Sequence, residues 1–600
     1  MKRRTWKPGA CTTLAIAAFG AAVATARSQQ PAPPPPPIQT TSPDDVETRL
    51  RKLEELNEKL EKQNQKLADQ NAKLEKLNQQ LQVTVPAAAS DPSAPAAPPT
   101  PVQPEEVKKL VDGYLKEKEA AKIAADEEKQ AQQEADGYEV GSDLNLKAMW
   151  RDGFFAETAN KDFQIHIGGK LQNDYGWFMP DKNLAAAFPT GTPAAPGPGP
   201  NAWNDGSDLR RARFRMDGTL WETIDFVFEY EFAQTQQVTS SAGSATTISA
   251  TGPTDAYIDV KDLPYVGRLR LGHFKEPFSL EDYGTQDVNL TFLERSSAND
   301  AFSPNRNFGA MLWNDPFDQH VVYGLGLFKE NTNTNIGNAF DYGTGSAAYT
   351  GRLGFNPWYD NNGACVFFFG GAYSYRIYDD SSALDRYRYA TRIPIRVGSP
   401  IILDTTSLVA QDSELFNAQA ALVLGPFSLQ AEGYAEQGIG LQRGLLAPGV
   451  ARLTYPELNG AYVQATLFLT GEHRNYIREV GGFGKIRPLE PFYFVPRGGP
   501  GGGLGNCFGR GAWELAARLD YLDLDSAAFA SFAGVKGVSG SSVAAIPTVG
   551  FERDILFGLN WYLNPNVKMQ WNYVHAVRDV AVPSMSGDVD AFAMRLTLDF

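Results

Sequence analysis

The chain contains 600 residues, of which 42% are hydrophobic and 12% aromatic, and its formal net charge is −15. Beyond a short apolar run at the N-terminus, no stretch approaches the roughly 18 apolar residues that a membrane helix needs, which excludes a helical membrane protein. Only Cys365 and Cys507 follow that run. They leave room for one bridge at most and exclude a disulfide framework.

The N-terminus has the pattern of a secretory signal peptide over residues 1–26. A basic start at 2–7 precedes an apolar run at 14–23, and the letters ATA at 24–26 form a small-x-small cleavage site. We therefore expect an exported protein.

Four further segments precede the predicted strands. They are a Pro-rich linker at 27–43, a coiled coil at 44–83, an Ala/Pro-rich linker at 84–104 and a mostly solvated helix at 105–136. In the coiled-coil segment, leucine recurs every seven residues from Leu53 to Leu81, and asparagine follows four residues after each of the first four leucines. Leucine at d and asparagine at a are typical of a parallel coiled coil with a fixed register. A single solvated helix is the alternative interpretation.

Residues 140–600 predict an all-β fold, an antiparallel transmembrane barrel of about sixteen strands. The last strand, 592–600, alternates apolar residues with small or polar ones. This alternation indicates a strand with one apolar face and one polar, solvent-exposed face. The same alternation occurs at 163–177, 225–232 and 511–522. The terminal phenylalanine looks like the C-terminal signal of bacterial outer-membrane barrels.

The connections between the predicted strands alternate in length. Short ones include 222–224, 424–426 and 564–566, and long ones include 179–207, 234–254, 329–348, 378–412 and 525–549. Short turns at one end and long loops at the other are typical of outer-membrane barrels. Residues 471–510 break this pattern, because they fall on the short-turn side yet are long, Gly-rich and basic. A loop of that length calls for a functional explanation.

A water-filled barrel selects solutes through the charges that face its lumen. The alternation places five arginines inward: Arg211, Arg213, Arg215, Arg268 and Arg270. Rows of arginine suit phosphate-like oxyanions and favour anions in a pore. The alternative is that Arg211 to Arg215 pair with Glu229 and Glu231 on the next strand and only fill the wall.

Two predicted loops are basic although the chain is acidic overall. The loop after the ninth strand contains Arg386, Arg388, Arg392 and Arg396. The long turn on the short-turn side contains Arg474, Arg478, Lys485, Arg487, Arg497 and Arg510. We expect both segments to insert into an anion path.

Four stretches occur in order along the chain: LRRARFRMDGTLWETIDFVFEYEFA, GRLRLGHFKEPFSLEDYG, FLERSSANDAFSPNRNFGAML, and LTGEHRNY followed by GAWELAARLDYLDL. They resemble the phosphate-selective porin O/P family, and more closely its planctomycete-type members, which carry an N-terminal coiled coil. The resemblance covers about 140–600. It implies a trimeric, sixteen-stranded porin for phosphate or related oxyanions, narrowed by inward-folded loops, one of them from the periplasmic side. It also implies that Lys275, Arg295 or Arg306 of the third external loop lies near an Arg/Lys-lined constriction.

The signal peptide, the helical segments and the resemblance together lead to expectations about the location and partners of the protein. We expect it in the outer membrane of a Gram-negative-type bacterium, with its N-terminal region in the periplasm. Its expected partners are outer-membrane lipid, small phosphate-like anions, further copies of itself in a homotrimer and, through the N-terminal helices, peptidoglycan. We expect no nucleic acid, cofactor or metal.

Two other functions stay open. A general or weakly cation-preferring diffusion porin would agree with the negative net charge and with inward-facing Glu229 and Glu231. A structural tether would use the barrel as an anchor and the helices to bind the cell wall. The five histidines show no catalytic or metal-ligand spacing, so we do not expect an enzyme.

Overall fold

The computed structural model describes residues 140–188, 203–233, 251–329, 346–378, 388–405, 410–439, 456–492, 509–526 and 549–600, and the backbone of two short strands between 235 and 249. The predicted signal peptide, coiled coil, linkers and second helix at 1–136 lie outside the described residues. Within the described part of the chain, no helix is long and apolar enough to span a membrane.

The described residues form twenty-four strands, numbered in chain order. The first twelve are β1 (Leu146–Trp150), β2 (Phe154–Thr158), β3 (Gln164–Pro180), β4 (Gly206–Leu220), β5 (Ile224–Glu231), β6 (Thr235–Thr239), β7 (Ala245–Ser249), β8 (Gly252–Leu263), β9 (Gly267–Lys275), β10 (Arg306–Asn314), β11 (Val321–Lys329) and β12 (Ala347–Asp360). The others are β13 (Cys365–Ile377), β14 (Ala390–Thr391), β15 (Leu403–Asp404), β16 (Asp412–Leu424), β17 (Phe427–Ile439), β18 (Glu457–Phe468), β19 (Tyr476–Ile477), β20 (Gly482–Phe483), β21 (Ala512–Asp523), β22 (Gly550–Asn564), β23 (Val567–Val580) and β24 (Gly587–Asp599).

Helices are short in the described residues. They are α1 (Lys182–Ala187), α2 (Ser297–Phe302) and the single turn α3 (Pro316–Gln319), with 3-10 turns at Asp287–Asn289, Asn361–Gly363 and Pro583–Met585. The helix α2 begins after Ser296, whose hydroxyl accepts a hydrogen bond from the backbone N–H of Asn299 at 3.1 Å. This is the usual way to satisfy a free N–H group at a helix start.

The main sheet is a closed antiparallel barrel. It contains 18 strands, of which β1 and β2 form a hairpin beside the start of β3, and the remaining sixteen pair in a ring. The ring closes where β24 pairs with β3, from Lys170 opposite Asp599 to Pro180 opposite Val589. The predicted sixteen-stranded all-β barrel is therefore confirmed.

The C-terminal residue completes this seam. The backbone N–H and C=O of Phe600 both form hydrogen bonds with Gly169 of β3, at 2.9 and 2.6 Å. The ring of Phe600 stacks on Trp150 of β1 with a centroid distance of 6.5 Å. The alternation predicted for this strand is also present, since Phe592 and Leu596 face outward while Ala593 and Arg595 are buried inside.

The connections show the predicted asymmetry. At the short-turn end they include 221–223, 264–266, 361–364, 425–426 and 565–566, and at the long-loop end they include 276–305 and 378–411. The tight turn at 361–364 uses Asn361 and Asn362 at φ values of 51° and 53°, which asparagine tolerates better than most residues. The exception between β18 and β21, 469–511, is long and lies at the short-turn end, as predicted.

Buried apolar side chains lie inside the barrel, between the wall and the loops that enter it. One cluster joins Phe278 and Phe302 of the 276–305 loop to Leu415, Tyr434 and Tyr462 of the wall. Because the loops pack on the inner wall as a core, they hold fixed positions within the lumen.

Candidate functional site

Three connections enter the lumen of the barrel, and they define the candidate site. We call residues 276–305 the third loop, 378–411 the fifth loop and 469–511 the inward turn. The first two enter from the long-loop end and the last enters from the short-turn end.

The third loop leaves β9 and is fixed to distant strands of the wall. Glu432 of β17 accepts hydrogen bonds from the backbone N–H groups of Leu280 at 2.9 Å and Glu281 at 2.8 Å. Ser297, the first residue of α2, donates to Asp554 of β22 at 2.7 Å. In the ring of sixteen strands, β22 lies on the opposite side from β9. The third loop therefore crosses the lumen and narrows it.

The inward turn meets the third loop inside the barrel. Arg352 of β12 donates to the carbonyl oxygens of Val480 at 2.6 Å and Gly481 at 2.8 Å. The backbone N–H of Phe483 donates to the hydroxyl of Thr285 in the third loop at 3.3 Å. The two segments therefore support each other across the lumen.

The fifth loop lies against the inner wall. Ile393 and Ile395 are fully buried and share one apolar cluster with Leu293 of the third loop and with Leu556 and Val574 of the wall. This packing carries the basic residues of the loop into the barrel.

Arg213 faces the lumen as the alternation predicts, and it meets the carboxylates of the next strand. Its guanidinium donates to Glu229 at 2.8 Å and to Glu231 at 2.6 Å. Glu229 and Glu231 are both 1% exposed, so the group is held away from bulk water. For Arg213 the structure therefore shows the alternative interpretation, in which the arginine pairs with Glu229 and Glu231 of the next strand.

Arg211 and Arg215 are also paired. Asp287 of the third loop lies 2.8 Å from the Arg211 Nε atom and 3.2 Å from Arg213. Arg215 pairs with Asp217 of its own strand at 2.8 Å. Burial alone would raise the pKa of Asp287, but the neighbouring cations hold it well below its ordinary value. A carboxylate from the loop thus completes the neutralisation of this row.

The other predicted wall cations each form an ion pair as well. The pairs are Arg268 with Glu479 at 3.0 Å, Arg270 with Asp259 at 2.7 Å, Lys275 with Asp282 at 3.1 Å and Arg306 with Asp255 at 2.8 Å. Arg295 shares Asp282 with Lys275, at 3.1 Å. Two of these carboxylates belong to the inward turn and the third loop, so the pairs fix the position of both segments.

The predicted cations of the loops are spread over the molecule. Arg386 lies outside the described residues. Arg388 pairs with Asp404 at 2.7 Å near the long-loop end. Lys485 pairs with Asp599 at 2.9 Å and Arg487 with Asp152 at 2.6 Å, both at the short-turn end. The predicted residues therefore do not form one cluster.

Arg474 forms no ion pair with any of the described carboxylates. It is 4% exposed, lies 3.5 Å from the centroid of the Phe483 ring and donates to Gln430 at 2.9 Å. These contacts give it a structural role at the base of the inward turn.

Arg210 is a lumen residue that strict alternation misses. The pairing of β3 with β4 shifts register between Gln172 and Asn173, so that Arg210 is an extra residue of the bulge. It turns inward beside Arg211 and donates two hydrogen bonds to Glu294 of the third loop, at 2.8 and 3.1 Å. No sequence signal marks the bulge.

Glu294 joins the third loop to the barrel seam. Arg595 of β24 donates to Glu294 at 2.6 Å and pairs with Asp174 of β3 at 2.6 Å. Burial would raise the pKa of Glu294, but Arg210 and Arg595 hold it well below its ordinary value. Arg595 was visible in the sequence as a polar residue of the last strand, but its partner in a loop was not.

Arg396 of the fifth loop differs from the paired arginines. It is exposed, and none of the described residues forms an ion pair or hydrogen bond with it. The charge of Arg210 and, after it, burial within the barrel lower the pKa of Arg396. Asp300 and Glu294 oppose this effect.

Arg392 extends the same basic surface. Its guanidinium donates to the carbonyl oxygen of Ser399 within the fifth loop. Burial and the neighbouring Arg396 lower the pKa of Arg392 to about 10. Arginine keeps its positive charge at neutral pH, so the fifth loop carries two cations that form no ion pair with the described carboxylates, although Asp300 lies near enough to raise the pKa of both.

The chain matches a protein family over most of its length. The sequence model described as "Phosphate-selective porin O and P" matches residues 199–600. Porin O of Pseudomonas aeruginosa is 23% identical to the chain over 496 residues, which cover 77% of this chain and 93% of that protein.

Solved structures of outer-membrane proteins have lower sequence identity to the chain. OmpT of Vibrio cholerae, in its trimer form, is 9% identical with a TM-score of 0.37, covering 73% of this chain and 99% of that chain. The outer-membrane channel DcaP of Acinetobacter baumannii is 10% identical with a TM-score of 0.36, covering 73% and 97% respectively.

Proposed function

Because the chain belongs to the phosphate-selective porin O and P family, we propose that it forms a water-filled outer-membrane channel for small anions, phosphate or related oxyanions among them. The observation that carries this proposal is the exposed, unpaired guanidinium of Arg396 beside Arg392 and Arg210.

The proposal places selectivity at the fifth loop. Arg211, Arg213 and Arg215 already donate to carboxylates, so an anion would have to displace Glu229, Glu231 or Asp287 to bind them. A buried pair resists this, because removing one partner leaves an uncompensated charge. Arg396 forms no ion pair with a described carboxylate, and Asp300, Glu294 and Asp208 act on it only from a longer distance.

A guanidinium has chemistry that suits an oxyanion. Its planar N–H groups can donate two parallel hydrogen bonds to a phosphate or carboxylate, which a single ammonium cannot do. Two arginines of the fifth loop would raise the local concentration of anions beside the third loop. The paired rows further in then serve mainly to hold the loops in place.

The assembly we propose is a homotrimer with its short-turn end in the periplasm. Both ends of the barrel sequence, near Gln164 and at Phe600, lie at the short-turn end, which in outer-membrane barrels faces the periplasm. We place the N-terminal segments 27–136 in the periplasm, where the heptad at 44–83 would join the subunits and bind peptidoglycan.

The test is the reversal potential of the purified protein in a planar bilayer under a KCl gradient, repeated with inorganic phosphate. We expect an anion-selective current that phosphate reduces, and we expect Arg396→Gln to weaken both effects. Arg388→Gln is the matched control, because Arg388 is exposed in the same loop but paired with Asp404.

The second candidate is a general or weakly cation-preferring porin. The observation that favours it is the extent to which carboxylates such as Glu229, Glu231 and Asp287 neutralise the arginine rows. A cation-selective current without phosphate block, unchanged in Arg396→Gln, would support this candidate over an anion porin.

A further inference from the structure

Two buried carboxyl groups face each other on the inner wall of the barrel, near its long-loop end. Glu552 and Asp554 are successive inward-facing residues at the start of β22, and they are 0% and 1% exposed. Their carboxyl groups lie within hydrogen-bonding reach of each other. Because an ionised carboxylate has no proton to donate, such a pair needs a proton or a cation between its oxygen atoms.

Three oxygen atoms of this pair have no donor. Both side-chain oxygens of Glu552 and the Oδ1 atom of Asp554 are buried without a hydrogen-bond partner among the described residues. The Oδ2 atom of Asp554 accepts from the hydroxyl of Ser297 at 2.7 Å. A buried acceptor without a partner is costly. One shared proton would join two of the three oxygens and leave the third unpaired, whereas a metal ion can bind several oxygens at once.

Two further carboxylates belong to the same part of the wall. Asp520 of β21 lies directly across from Asp554 in the sheet. Glu281 of the third loop reaches the same place, because Arg518 pairs with Asp520 at 2.9 Å and with Glu281 at 3.5 Å. We call Glu281, Asp520, Glu552 and Asp554 the carboxylate cluster. Arg518 supplies one positive charge to this cluster.

Arg578 is the other guanidinium beside the carboxylate cluster, and it is directed elsewhere. It lies across from Glu552 on β23 but donates to the carbonyl oxygen of Ile402 at 2.5 Å and to a second carbonyl group. In the described part of the chain, no lysine or arginine forms an ion pair with Glu552 or Asp554. Even when Arg518 and Arg578 are both counted, the cluster keeps an excess of two negative charges.

We propose that Glu552 and Asp554 bind a divalent cation, Ca²⁺, with the hydroxyl oxygen of Ser297 as a further ligand. Hard oxygen ligands suit Ca²⁺ and Mg²⁺, and calcium accepts irregular sets of oxygens whereas magnesium demands near-octahedral geometry. A divalent ion also balances the two excess charges. Because Ser297 is the first residue of α2, the ion links the third loop to the wall. This inference does not depend on which solutes cross the channel.

The experiment is equilibrium dialysis of the full-chain protein in detergent against about 1 mM CaCl₂, a concentration at which extracellular modules bind calcium. We expect the wild type to retain about one calcium ion per chain more than Glu552→Gln, since the variant loses a charged ligand. Asp579→Asn is the matched control, because Asp579 is an exposed carboxylate on the outer face of β23 at the same end of the barrel. It should bind as much calcium as the wild type. Equal retention of Mg²⁺ and Ca²⁺ would overturn the preference for calcium.

Hydrogen exchange of α2 distinguishes a bound cation from a shared proton. In the wild type, calcium should slow the exchange of the α2 amides about tenfold relative to EDTA, as expected for a ligand at ten times its dissociation constant. In Glu552→Gln, calcium should have no effect. If the pair shares a proton instead, the new amide N–H group replaces that proton and calcium changes the exchange of neither protein, which would overturn the cation site. Equal calcium binding by wild type and Glu552→Gln would overturn it too. Asp554→Asn repeats both measurements if Glu552→Gln does not fold.

Discussion

Gly482 of the inward turn lies directly against the backbone of Gly284 in the third loop, so that a Cβ atom on Gly482 would overlap the carbonyl group of Gly284. One segment enters from the short-turn end and the other from the long-loop end, and they meet inside the barrel. The part of the lumen where they meet is therefore built by two loops that depend on each other, with the wall as their common support.

This contact predicts the effect of a single methyl group. We expect Gly482→Ala to separate the inward turn from the third loop, because a backbone carbonyl cannot move as freely as a side chain. Single-channel recordings should show an altered conductance and more frequent fluctuations. Gly433→Ala is the control, since its Cβ atom meets nothing, and it should leave the conductance unchanged. Identical recordings for Gly482→Ala and wild type would show that the two segments do not set the aperture.

The hydrogen bonds from Arg352 to the inward turn lead to a second prediction about the contact between the inward turn and the third loop. Replacing Arg352 with Met removes the donors to the carbonyl oxygens of Val480 and Gly481 but keeps an unbranched chain. We expect faster hydrogen exchange of the backbone amides near 478–484, with the wall strands unchanged. Protection equal to that of wild type would mean that Thr285 and the apolar packing hold the turn without Arg352.

Arg213 is expected to matter for stability more than for permeation. Arg213→Gln leaves Glu229, Glu231 and Asp287 in excess, and breaking a buried pair costs about 3–5 kcal/mol. The temperature at which the folded barrel loses its fast mobility on a gel should fall. Adding Glu231→Gln should restore part of the loss, because the charges balance again. No recovery in the double variant would contradict this account.

The pKa values in the loops predict two effects of pH. Asp287 and Glu294 have a pKa depressed in the folded state, so their contribution to stability is present above the pKa of a free carboxyl, about 4, and is lost as the pH falls below it. We expect the third loop to stay docked at pH 5 and to loosen only at lower pH, as measured by hydrogen exchange. In the Asp287→Asn variant, the increase in hydrogen exchange of the third loop at low pH should be smaller.

At alkaline pH the change should appear in selectivity. Because the pKa of Arg392 is lowered to about 10, this group loses its charge as the pH rises through that value. The reversal potential should then shift toward weaker anion selectivity, and Arg392→Gln should show the weaker selectivity at every pH. A shift of the same size in Arg392→Gln would assign the titration to another group.

The N-terminal segments lead to a prediction that needs only a deletion. Removing 27–136 should leave the single-channel conductance intact, since the barrel begins after these residues. It should abolish sedimentation of the protein with purified peptidoglycan if the helices act as a tether. Sedimentation that survives the deletion would place wall binding on the barrel, or exclude it as a function of the helices.

Much of the barrel could be predicted from alternation, and the reason is geometric. Each strand of a barrel has a lipid face and a lumen face, so β24 and β5 reveal their orientation residue by residue. The alternation fails at Arg210, because a bulge adds one residue and has no signature in the sequence. It also cannot reveal Asp287 and Glu294, which reach the wall from an irregular loop with no periodicity.

The same limit applies to selectivity. The sequence places Arg211 and Arg213 in the lumen, which the structure confirms, but whether a lumen cation is free depends on partners far away along the chain. Glu294 and Arg595 are 301 residues apart. Arg396 differs from Arg213 only in what surrounds it, and that difference arises from tertiary packing.

The seam at Phe600 has a consequence for how the protein is made. The first barrel strand pairs with the last, and Arg595 meets Asp174 across a separation of 421 residues. The first barrel strand therefore has no partner along most of one side until the last barrel strand has been made. For all that time an apolar, unpaired edge must be kept from other chains, which such edges readily join. The distance along the chain between β3 and β24 therefore sets how long this edge stays open to other chains.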